Sequence, residues 1–306
     1  MIKKLVLSIV SLIFLFLIWW YLLDDNRNFY KISNKEYSIP GLNTSFSSQG
    51  LCKVDNLVLI SGYMSDKKPS RIYVLSDEVK YYELEYKNKK FNGHTGGIAS
   101  DGNMVWIGSE GKIYYFKYEK LKSNKKTIEL EGFIDTLNGA DFLSIYDDNL
   151  YVGEFYLKDL YKTDKTHHIK GNNAIVFRFK IDRNKESGLD NIPNLALSIR
   201  SQIQGMIVTS DRIVLSKSYG LPKSHIYFYK NITKEFTNDT FKYKNEEIPL
   251  FILSDEDLIK DIKIPSMSEE IELIDNRVFI NFENASKKYK LFTRERLKNI
   301  YSIPLY

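Results

Sequence analysis

Polar side chains recur at a fixed distance before five short apolar segments. The segments are Val58–Ser61, Val105–Gly108, Leu150–Gly153, Ile213–Ser216 and Val278–Asn281. The position twelve residues before the last residue of each segment is, in order, Gln49, Gly96, Asp141, Gln204 and Glu269, and His94–Thr95 precede the one glycine. Carboxylate, amide and imidazole groups can hold a cation, exchange a proton or hydrogen-bond a ligand. The repeat therefore predicts that such groups occupy equivalent places in a repeated structure.

A second polar set follows the same segments. Its members are Tyr63, Glu110, Glu154, Ser218–Tyr219 and Glu283. If each segment is the second strand of a hairpin, its end lies beside the start of the first strand. We call the end of the structure where the first strands start and the second strands end the mouth. The residues that we expect to bind a ligand there are Gln49, His94, Asp141, Glu154, Gln204, Glu269, Glu270 and Glu283.

The spacing of the segments indicates the fold. Turn residues such as Asp101-Gly102-Asn103 precede each segment, and the intervals between segments are 47, 45, 63 and 65 residues. A period near 45 is typical of the four-stranded blades of a β-propeller, and the longer intervals indicate blades with insertions. We therefore predict an all-β chain with five blades, with a six-bladed ring and a two-sheet sandwich as the alternatives.

The remaining strands of each blade can be assigned from the same repeat. Third strands are expected in Ser70–Ser76, Lys112–Tyr118, Asn173–Ile181, Ser224–Lys230 and Lys288–Thr293. Insertions are expected in Tyr156–Gly171 and Asn231–Glu247. Either Asn34–Pro40 or Lys298–Pro304 could supply the outer strand of the last blade, and two strands from these segments could instead form part of a sixth blade. Such a strand would close the ring and remove a free sheet edge.

The N-terminus predicts a membrane anchor. Residues 5–23 are almost entirely apolar, Lys3–Lys4 precede them, and Asp24–Asp25 follow. Trp19, Trp20 and Tyr21 fit an aromatic belt at the membrane surface, and the charges predict a cytoplasmic N-terminus with the remainder exported. A cleaved signal peptide is the alternative. The expected organisation is an anchor or uncleaved signal in residues 1–24, a linker and possible ring-closing strand in 25–45, and the propeller in 46–306.

The composition argues against some classes of function and partner. The net charge of +5 is small and scattered, which argues against a nucleic-acid partner. The single cysteine, Cys52, excludes an internal disulfide and is expected to be buried. His167 and His168 lie in a Lys-rich segment, so we expect a solvated loop there. Partners are therefore expected to be the membrane, through residues 5–23, and an unidentified ligand or cell-envelope component.

Three interpretations of the mouth are open. Its side chains could hydrogen-bond strand ends and water. Asp141, Glu154, Glu269 and Glu283 could instead hold Ca²⁺ together with amide oxygens. Alternatively, Asp141, Glu269 and Glu283 could be catalytic carboxyl groups of a hydrolase, metal-assisted or with the paired carboxylates of a glycosidase. A ligand- or partner-binding module is our primary hypothesis, and the hydrolase is the alternative.

Several motifs carry a family resemblance. "QGL" at Gln49, "HTGGIA" at His94, "IQGMIV" at Ile203 and "PSMSEEIEL" at Pro265 resemble exported bacterial β-propellers of the NHL and strictosidine-synthase-like kind. That resemblance implies an exported binding protein or hydrolase. "FSSQGL", Phe46 to Leu51, is similar to the start of five-bladed glutaminyl cyclases, which place a catalytic glutamate on the next strand. This chain has Leu59-Ile60-Ser61 there, so the similarity implies the fold alone.

Overall fold

The structure is a computed structural model that describes the backbone of residues 2–23 and 26–306, and the side chains of residues 3–18 and 26–306. Two helices, α1 (Ile2–Leu23) and α2 (Arg27–Ile32), precede the sheets. Among the described residues, no helix meets the length and hydropathy required to cross a membrane. The side chains of the predicted aromatic belt, Trp19, Trp20 and Tyr21, and the acidic pair Asp24–Asp25 lie outside the part of the chain that the structure describes.

In the part of the chain that the structure describes, the regular elements after α2 are three short 3₁₀ helices and strands that form five four-stranded blades with additional edge strands. After β1 (Asn34–Ser38), blade 1 contains β2 (Phe46–Val54), β3 (Leu57–Met64), β4 (Arg71–Leu75) and β5 (Val79–Tyr86), with a two-residue β6 (Lys89–Lys90). Blade 2 contains β7 (Gly97–Ser100), β8 (Met104–Ser109), β9 (Lys112–Lys117) and, after β10 (Thr127–Leu130), β11 (Gly132–Asp135). The 3₁₀ helices are Tyr118–Lys122, Lys165–His167 and Asp255–Asp257.

The remaining three blades follow the same plan. Blade 3 contains β12 (Phe142–Tyr146), β13 (Asn149–Gly153), β14 (Ala174–Lys180) and β15 (Leu195–Ile199). Blade 4 contains β16 (Ile203–Val208), β17 (Arg212–Lys217), β18 (Ser224–Lys230) and, after β19 (Thr240–Tyr243) and β20 (Glu246–Ile252), β21 (Leu258–Ile264). Blade 5 contains β22 (Ser268–Ile274), β23 (Arg277–Phe282) and β24 (Asn299–Pro304). The predicted five-bladed, all-β propeller is confirmed.

Blade 5 closes the ring with the N-terminal strand. Strand β1 pairs antiparallel with β24, so both terminal segments supply strands to one blade rather than to a sixth. The prediction of a third strand at Lys288–Thr293 was wrong. That segment forms successive turns, with Phe292 N–H bonded to the Tyr289 carbonyl, and Asn299–Pro304 pairs with β23 instead. The reason is burial: Ile300, Tyr301 and Ile303 of the segment Asn299–Pro304 are buried, whereas Leu291 and Phe292 of the segment Lys288–Thr293 are exposed.

Blades 2 and 4 each contribute an extra strand that pairs with the outer strand of the preceding blade. Strand β10, from blade 2, pairs in parallel with β5 of blade 1. Strand β20, from blade 4, pairs in parallel with β15 of blade 3 and forms a hairpin with β19. The predicted insertion Asn231–Glu247 therefore contains β19 and the start of this hairpin's second strand. These pairings cover edges that would otherwise expose backbone hydrogen-bonding groups.

Apolar side chains fill the spaces between neighbouring blades. Trp106 is fully buried in a cluster that joins residues of blades 2 and 3, and its indole N–H donates to the Ser187 carbonyl at 2.8 Å. Burying a large side chain contributes about 1.5–3 kcal/mol, so this packing is the main stabilisation of the ring. Cys52 is buried within the cluster between blades 1 and 2, as expected.

Candidate functional site

Each inner strand has a β-bulge or a bulge-like start at the position that the repeat singled out: the bulge lies within the strand in blades 1, 4 and 5, and at residues 96 and 141, directly before the strand, in blades 2 and 3. Two residues of the inner strand face one residue of the second strand at 49–50, 96–97, 141–142, 204–205 and 269–270. In blade 3, for example, Asp141 N–H bonds the Gly153 carbonyl while Phe142 is the register partner of Gly153. A bulge redirects a side chain relative to the regular pleat. This geometry explains the fixed spacing of twelve residues.

The residue opposite each bulge is small. These residues are Ser61, Gly108, Gly153, Ser216 and Asn281. A Cβ atom on Gly153 would overlap the ring of Phe142, and one on Gly108 would overlap the Ala140 carbonyl of the next blade. Asn281 instead bridges blade 5 to blade 1, since its Nδ2 donates to the Gln49 carbonyl at 2.8 Å. The bulges thus lie at the contacts that hold neighbouring blades together.

The mouth encloses a cavity of about 550 Å³. All five bulge positions line it, together with residues that follow the second strands. The lining residues are Gln49, Tyr63, His94, Gly96, Glu110, Asp141, Phe155, Tyr161, Gln204, Ser218, Tyr219, Gly220, Met267, Glu269, Glu283, Lys288 and Tyr289. Of the eight residues expected to bind a ligand, six are in this set, and Glu154 and Glu270 are not.

Glu269 and Glu283 form a carboxyl pair on one wall of the cavity. Glu269 is buried, and Gln49 Nε2 donates to Glu283 Oε2 at 2.9 Å. Burial, together with the negative charge and hydrogen bond of Glu283, raises the pKa of Glu269 well above its ordinary value. Burial also raises the pKa of Glu283 to about 7, against the opposing effects of Glu269, Lys288 and Gln49. Near neutral pH, a protonated Glu269 therefore donates to the Glu283 carboxylate.

Asp141 is a third titratable carboxyl group of the cavity. Its Oδ2 accepts a hydrogen bond of 2.7 Å from Phe155 N–H, which holds the side chain in place. Burial raises the pKa of Asp141 to about 7, the Phe155 N–H lowers it, and the nearby Glu154 charge raises it further. Asp141 and Glu283 therefore both change charge near neutral pH, which suits groups that bind a cation or transfer a proton.

Lys288 lies across one side of the mouth. Its ammonium group donates to Tyr63 Oη at 2.7 Å and lies 4.9 Å from the centre of the Tyr63 ring and 4.7 Å from that of Tyr289. The ring of His94 packs against that of Tyr63 at a tilt of 30°, with centroids 4.7 Å apart. The surrounding cavity walls and the charge of Lys288 lower the pKa of His94 below its ordinary value. His94 is therefore neutral under ordinary conditions.

Aromatic rings form the wall contributed by blades 3 and 4. Phe155 packs edge-on against Tyr161 with ring centroids 5.5 Å apart, and it lies 6.1 Å from Tyr219. Tyr219 and Tyr161 are exposed toward the solvent. Aromatic faces attract cations and apolar ring systems. The cavity thus combines an acidic wall with an aromatic one.

Glu270 does not face the cavity but bonds the backbone of other blades. Its side chain is fully buried and accepts backbone N–H bonds from Leu51, Ile98 and Leu143 at 2.8–3.0 Å. These donors belong to the inner strands of blades 1, 2 and 3, whereas Glu270 belongs to blade 5. Burial raises the pKa of Glu270 and the three N–H donors oppose that effect. Glu270 therefore joins four blades on the ring axis below the cavity, which fits the first interpretation of the mouth residues.

Glu154 pairs with a histidine that we expected in solvent. Glu154 Oε1 accepts from His167 Nδ1 at 2.7 Å and from Ile175 N–H at 3.0 Å. His167 is only 2% exposed and packs against Phe177 and Phe241, so the prediction of a solvated loop was wrong at this residue, while His168 is exposed. His167 is buried because it hydrogen-bonds the buried Glu154 carboxylate, and this bond holds the end of the segment 156–171 inside the protein. The pair ties the segment 156–171 to blade 3.

The four carboxylates considered for Ca²⁺ do not converge. Within residues 3–18 and 26–306, no group of three or more His, Cys, Asp or Glu side chains has an arrangement that could hold a metal ion. Glu154 is engaged with His167, Asp141 with Phe155 N–H, and Glu269 with Glu283. The side-chain geometry therefore gives no support to a calcium site made of Asp141, Glu154, Glu269 and Glu283.

Sequence reasoning missed part of the cavity lining. Lys288 and Tyr289 were assigned to a strand, Tyr161 was assigned to an insertion, and Phe155 was not singled out. The available signal was position, because Phe155 directly follows Glu154 at the end of a second strand. Lys288 had no such signal, since only the turns after β23 bring it back over Tyr63.

Comparisons with known proteins show likeness in structure alone. No protein-family model matches the chain, and no curated protein does so. One similar solved structure is BamB from Moraxella catarrhalis, with 11% identity, a TM-score of 0.37 and coverage of 88% of this chain. The chain covers 62% of that BamB chain, less than two thirds of its length. Another is the computationally designed Ika4 protein, with 13% identity, a TM-score of 0.34, and coverage of 66% of this chain and 91% of Ika4.

The class of the protein follows from its own sheet order. Five sheets with consecutive inner strands and a ring-closing terminal strand define a five-bladed β-propeller. The propeller part of the family resemblance is thereby confirmed, while membership of the NHL or strictosidine-synthase-like proteins stays a prediction.

Proposed function

We propose that the protein is a binding module that takes a small ligand in the cavity at its mouth. The observation that carries this proposal is the convergence of all five bulge positions on one cavity of about 550 Å³. That volume is typical of small-molecule sites, which combine apolar walls with a few directed polar groups. A cell-envelope partner that inserts a side chain into the cavity would use the same groups.

The electrostatics favour a ligand with a cationic amine next to a ring. Glu283 and Asp141 gain negative charge near pH 7, and the ammonium of Lys288 already lies over Tyr63 and Tyr289. A ligand ammonium at Glu283 would leave its ring free to pack against Phe155 and Tyr219. Binding of a cation favours the ionised carboxylates, so affinity should rise as the pH increases through about 7.

Thermal melting of the full chain in detergent tests this proposal. Benzylamine is the probe, and benzyl alcohol is the neutral control of similar shape. Benzylamine at a hundredfold excess over its Kd should stabilise the native state by about 2.7 kcal/mol. Glu283→Gln should abolish the effect, whereas the exposed Glu235→Gln should retain it. Equal effects of the two probes, or an unchanged effect in Glu283→Gln, would contradict the proposal.

A hydrolase is the second candidate, favoured by the pKa values near 7 of Asp141 and Glu283. Such values suit general acid–base catalysis at neutral pH. Glu269 and Glu283 are in hydrogen-bond contact, closer than the roughly 5–9.5 Å between the carboxyl groups of glycosidases. A glycosidase would therefore have to use Asp141 with one of the two. Nitrophenyl ester and glycoside assays of the wild type, Asp141→Asn and Glu283→Gln test this candidate.

We also propose that residues 5–23 anchor the chain in a membrane, with the propeller outside the cytoplasm. The large apolar side chains from Leu5 to Ile18 are exposed, and apolar character all round a helix suits lipid. Lys3–Lys4 before the apolar residues favour a cytoplasmic N-terminus. Full chains carrying Leu12→Arg with Ile13→Arg should leave the membrane fraction, while Ile259→Arg on the propeller should not. Recovery of both variants in the membrane fraction argues against this anchor.

A further inference from the structure

Three loops around the mouth expose large apolar side chains. Leu160 and Tyr161 lie in the loop after β13, Tyr219 and Leu221 lie in the loop after β17, and Leu291 and Phe292 lie in the loop after β23. Leu291 is 78% and Phe292 68% exposed. Exposed apolar groups that gather on one face, unlike scattered ones, indicate an interaction surface.

The three loops belong to the same face of the ring. Tyr161, Tyr219 and Tyr289 line the same cavity. Phe292 N–H bonds the Tyr289 carbonyl, which places Phe292 within one turn of the cavity rim. Leu160 N–H bonds the Leu157 carbonyl in the turn that carries Tyr161. The apolar side chains therefore lie on the mouth face, at blades 3, 4 and 5.

Basic residues accompany these apolar tips. Lys158 and Lys162 are exposed on either side of Leu160–Tyr161, and Lys287 and Lys290 are exposed before Leu291–Phe292. Residues 283–298 contain six Lys or Arg and two Glu. Apolar tips flanked by lysines fit an anionic lipid surface, where the charges contact headgroups and the tips enter the acyl boundary.

The chain path connects this face to the N-terminal helix. Asn26 Nδ2 donates to Glu295 Oε2 at 2.8 Å, three residues beyond Phe292. Helix α1 ends at Leu23, and three residues span at most about 11 Å. The end of α1 is therefore held close to the loop that carries Leu291 and Phe292.

We infer that the mouth face docks on an anionic membrane surface, with the tips of these three loops in the headgroup region. The cavity then opens toward the lipid, and its ligand reaches it along the membrane surface. This inference goes beyond ligand binding in the cavity, because the loops contact lipid whether or not the cavity is filled.

Site-specific fluorescence on the full chain tests the docking. Phe292→Cys is labelled with the polarity-sensitive fluorophore NBD, and Phe236→Cys is the matched control. Phe236 is 87% exposed after β18, at the end of blade 4 opposite the mouth, and the native Cys52 is buried and so does not compete for the label. The protein is reconstituted in vesicles of phosphatidylcholine with phosphatidylglycerol.

The expected result is a severalfold rise and a blue shift of the emission at position 292 relative to detergent, with little change at position 236. Lys287→Glu with Lys290→Glu, or vesicles of phosphatidylcholine alone, should reduce the rise. Equal emission at the two positions in vesicles that carry the protein overturns the docking and leaves the anchor intact. A chain that does not float with the vesicles overturns both. The benzylamine melting experiment is unaffected by either result, so ligand binding is judged separately.

Discussion

Glu270 and Leu143 lie in blades 5 and 3, which are not neighbours in the ring, yet the Leu143 N–H donates to Glu270 Oε1 at 2.8 Å. The same carboxyl group bonds backbone N–H groups of Leu51 and Ile98. One side chain thus satisfies three backbone donors that the bulged inner strands leave unpaired at the axis.

Replacement of Glu270 by Gln should destabilise the propeller by about 3 kcal/mol. The amide N–H₂ would face a backbone donor, and hydrogen bonds to a charged or strongly polar acceptor contribute about 1.5–3 kcal/mol each. Urea unfolding followed by circular dichroism measures the loss, and the exposed Glu78→Gln serves as the control. Equal stability of the two variants would show that Glu270 does not hold the ring.

Replacement of Gly153 by Ala should destabilise the protein by about 1–3 kcal/mol, because the new Cβ atom overlaps the ring of Phe142. Ser216 occupies the equivalent place in blade 4 and already carries a Cβ atom. Ser216→Ala removes only the hydrogen bond to Ser268 Oγ and should cost about 1 kcal/mol. Thermal melting of the two variants compares them, and a larger effect of Ser216→Ala would refute the steric explanation.

Replacement of His167 by Gln should loosen the segment 156–171, while His168→Gln should not. The first change weakens a buried hydrogen bond to Glu154, worth about 1.5–3 kcal/mol, and the second alters an exposed neighbour. Limited proteolysis with trypsin, which cleaves after Lys158, Lys162 and Lys165, reports the difference. If both variants are cleaved at the wild-type rate, the Glu154–His167 pair does not restrain the segment.

The free energy of unfolding should fall as the pH rises from about 4 to about 7. Asp141 has an ordinary pKa of 3.8 and a folded pKa of about 7, so the folded state binds more protons over that interval. Glu283 acts in the same direction, as does the raised pKa of Glu269. Asp141→Asn should remove about 3 kcal/mol of this dependence, since each unit of pKa shift corresponds to about 1.4 kcal/mol.

Urea unfolding at about pH 5 and about pH 8 checks the sign. The exposed Asp148→Asn is the control and should leave the difference between the two conditions unchanged. A wild-type protein that is more stable at the higher pH would contradict the assignment of protonated carboxyl groups to the cavity.

The sequence predicted the repeat because each blade needs the same local features. A turn, an apolar second strand and a small residue at its end recur, and the bulge fixes the distance from Ser61 back to Gln49 or from Asn281 back to Glu269. These are local constraints, so they are visible without a structure. The sequence did not show that Asn299–Pro304, rather than Lys288–Thr293, forms the third strand of blade 5. Both segments have the pattern of a strand, and only packing against the rest of blade 5 decides between them.

The sequence also did not predict which of the mouth residues line the cavity and which bond other parts of the protein. Glu269 and Glu270 are adjacent in the chain, yet one faces the cavity and the other bonds the backbone of three blades. Similarly, Glu154 and Glu283 both follow the end of a second strand, but Glu283 lines the cavity whereas Glu154 bonds His167. Which partner a buried carboxylate finds depends on contacts between distant segments, and these leave no pattern in the sequence.

The bulges have an evolutionary consequence. At each one, the first residue turns toward the cavity while the second residue and its small partner maintain the contact between blades. Gln49, Asp141, Gln204 and Glu269 can therefore be exchanged for other side chains without disturbing the packing that closes the circle. A lineage built on this scaffold could change its specificity one blade at a time and keep its architecture.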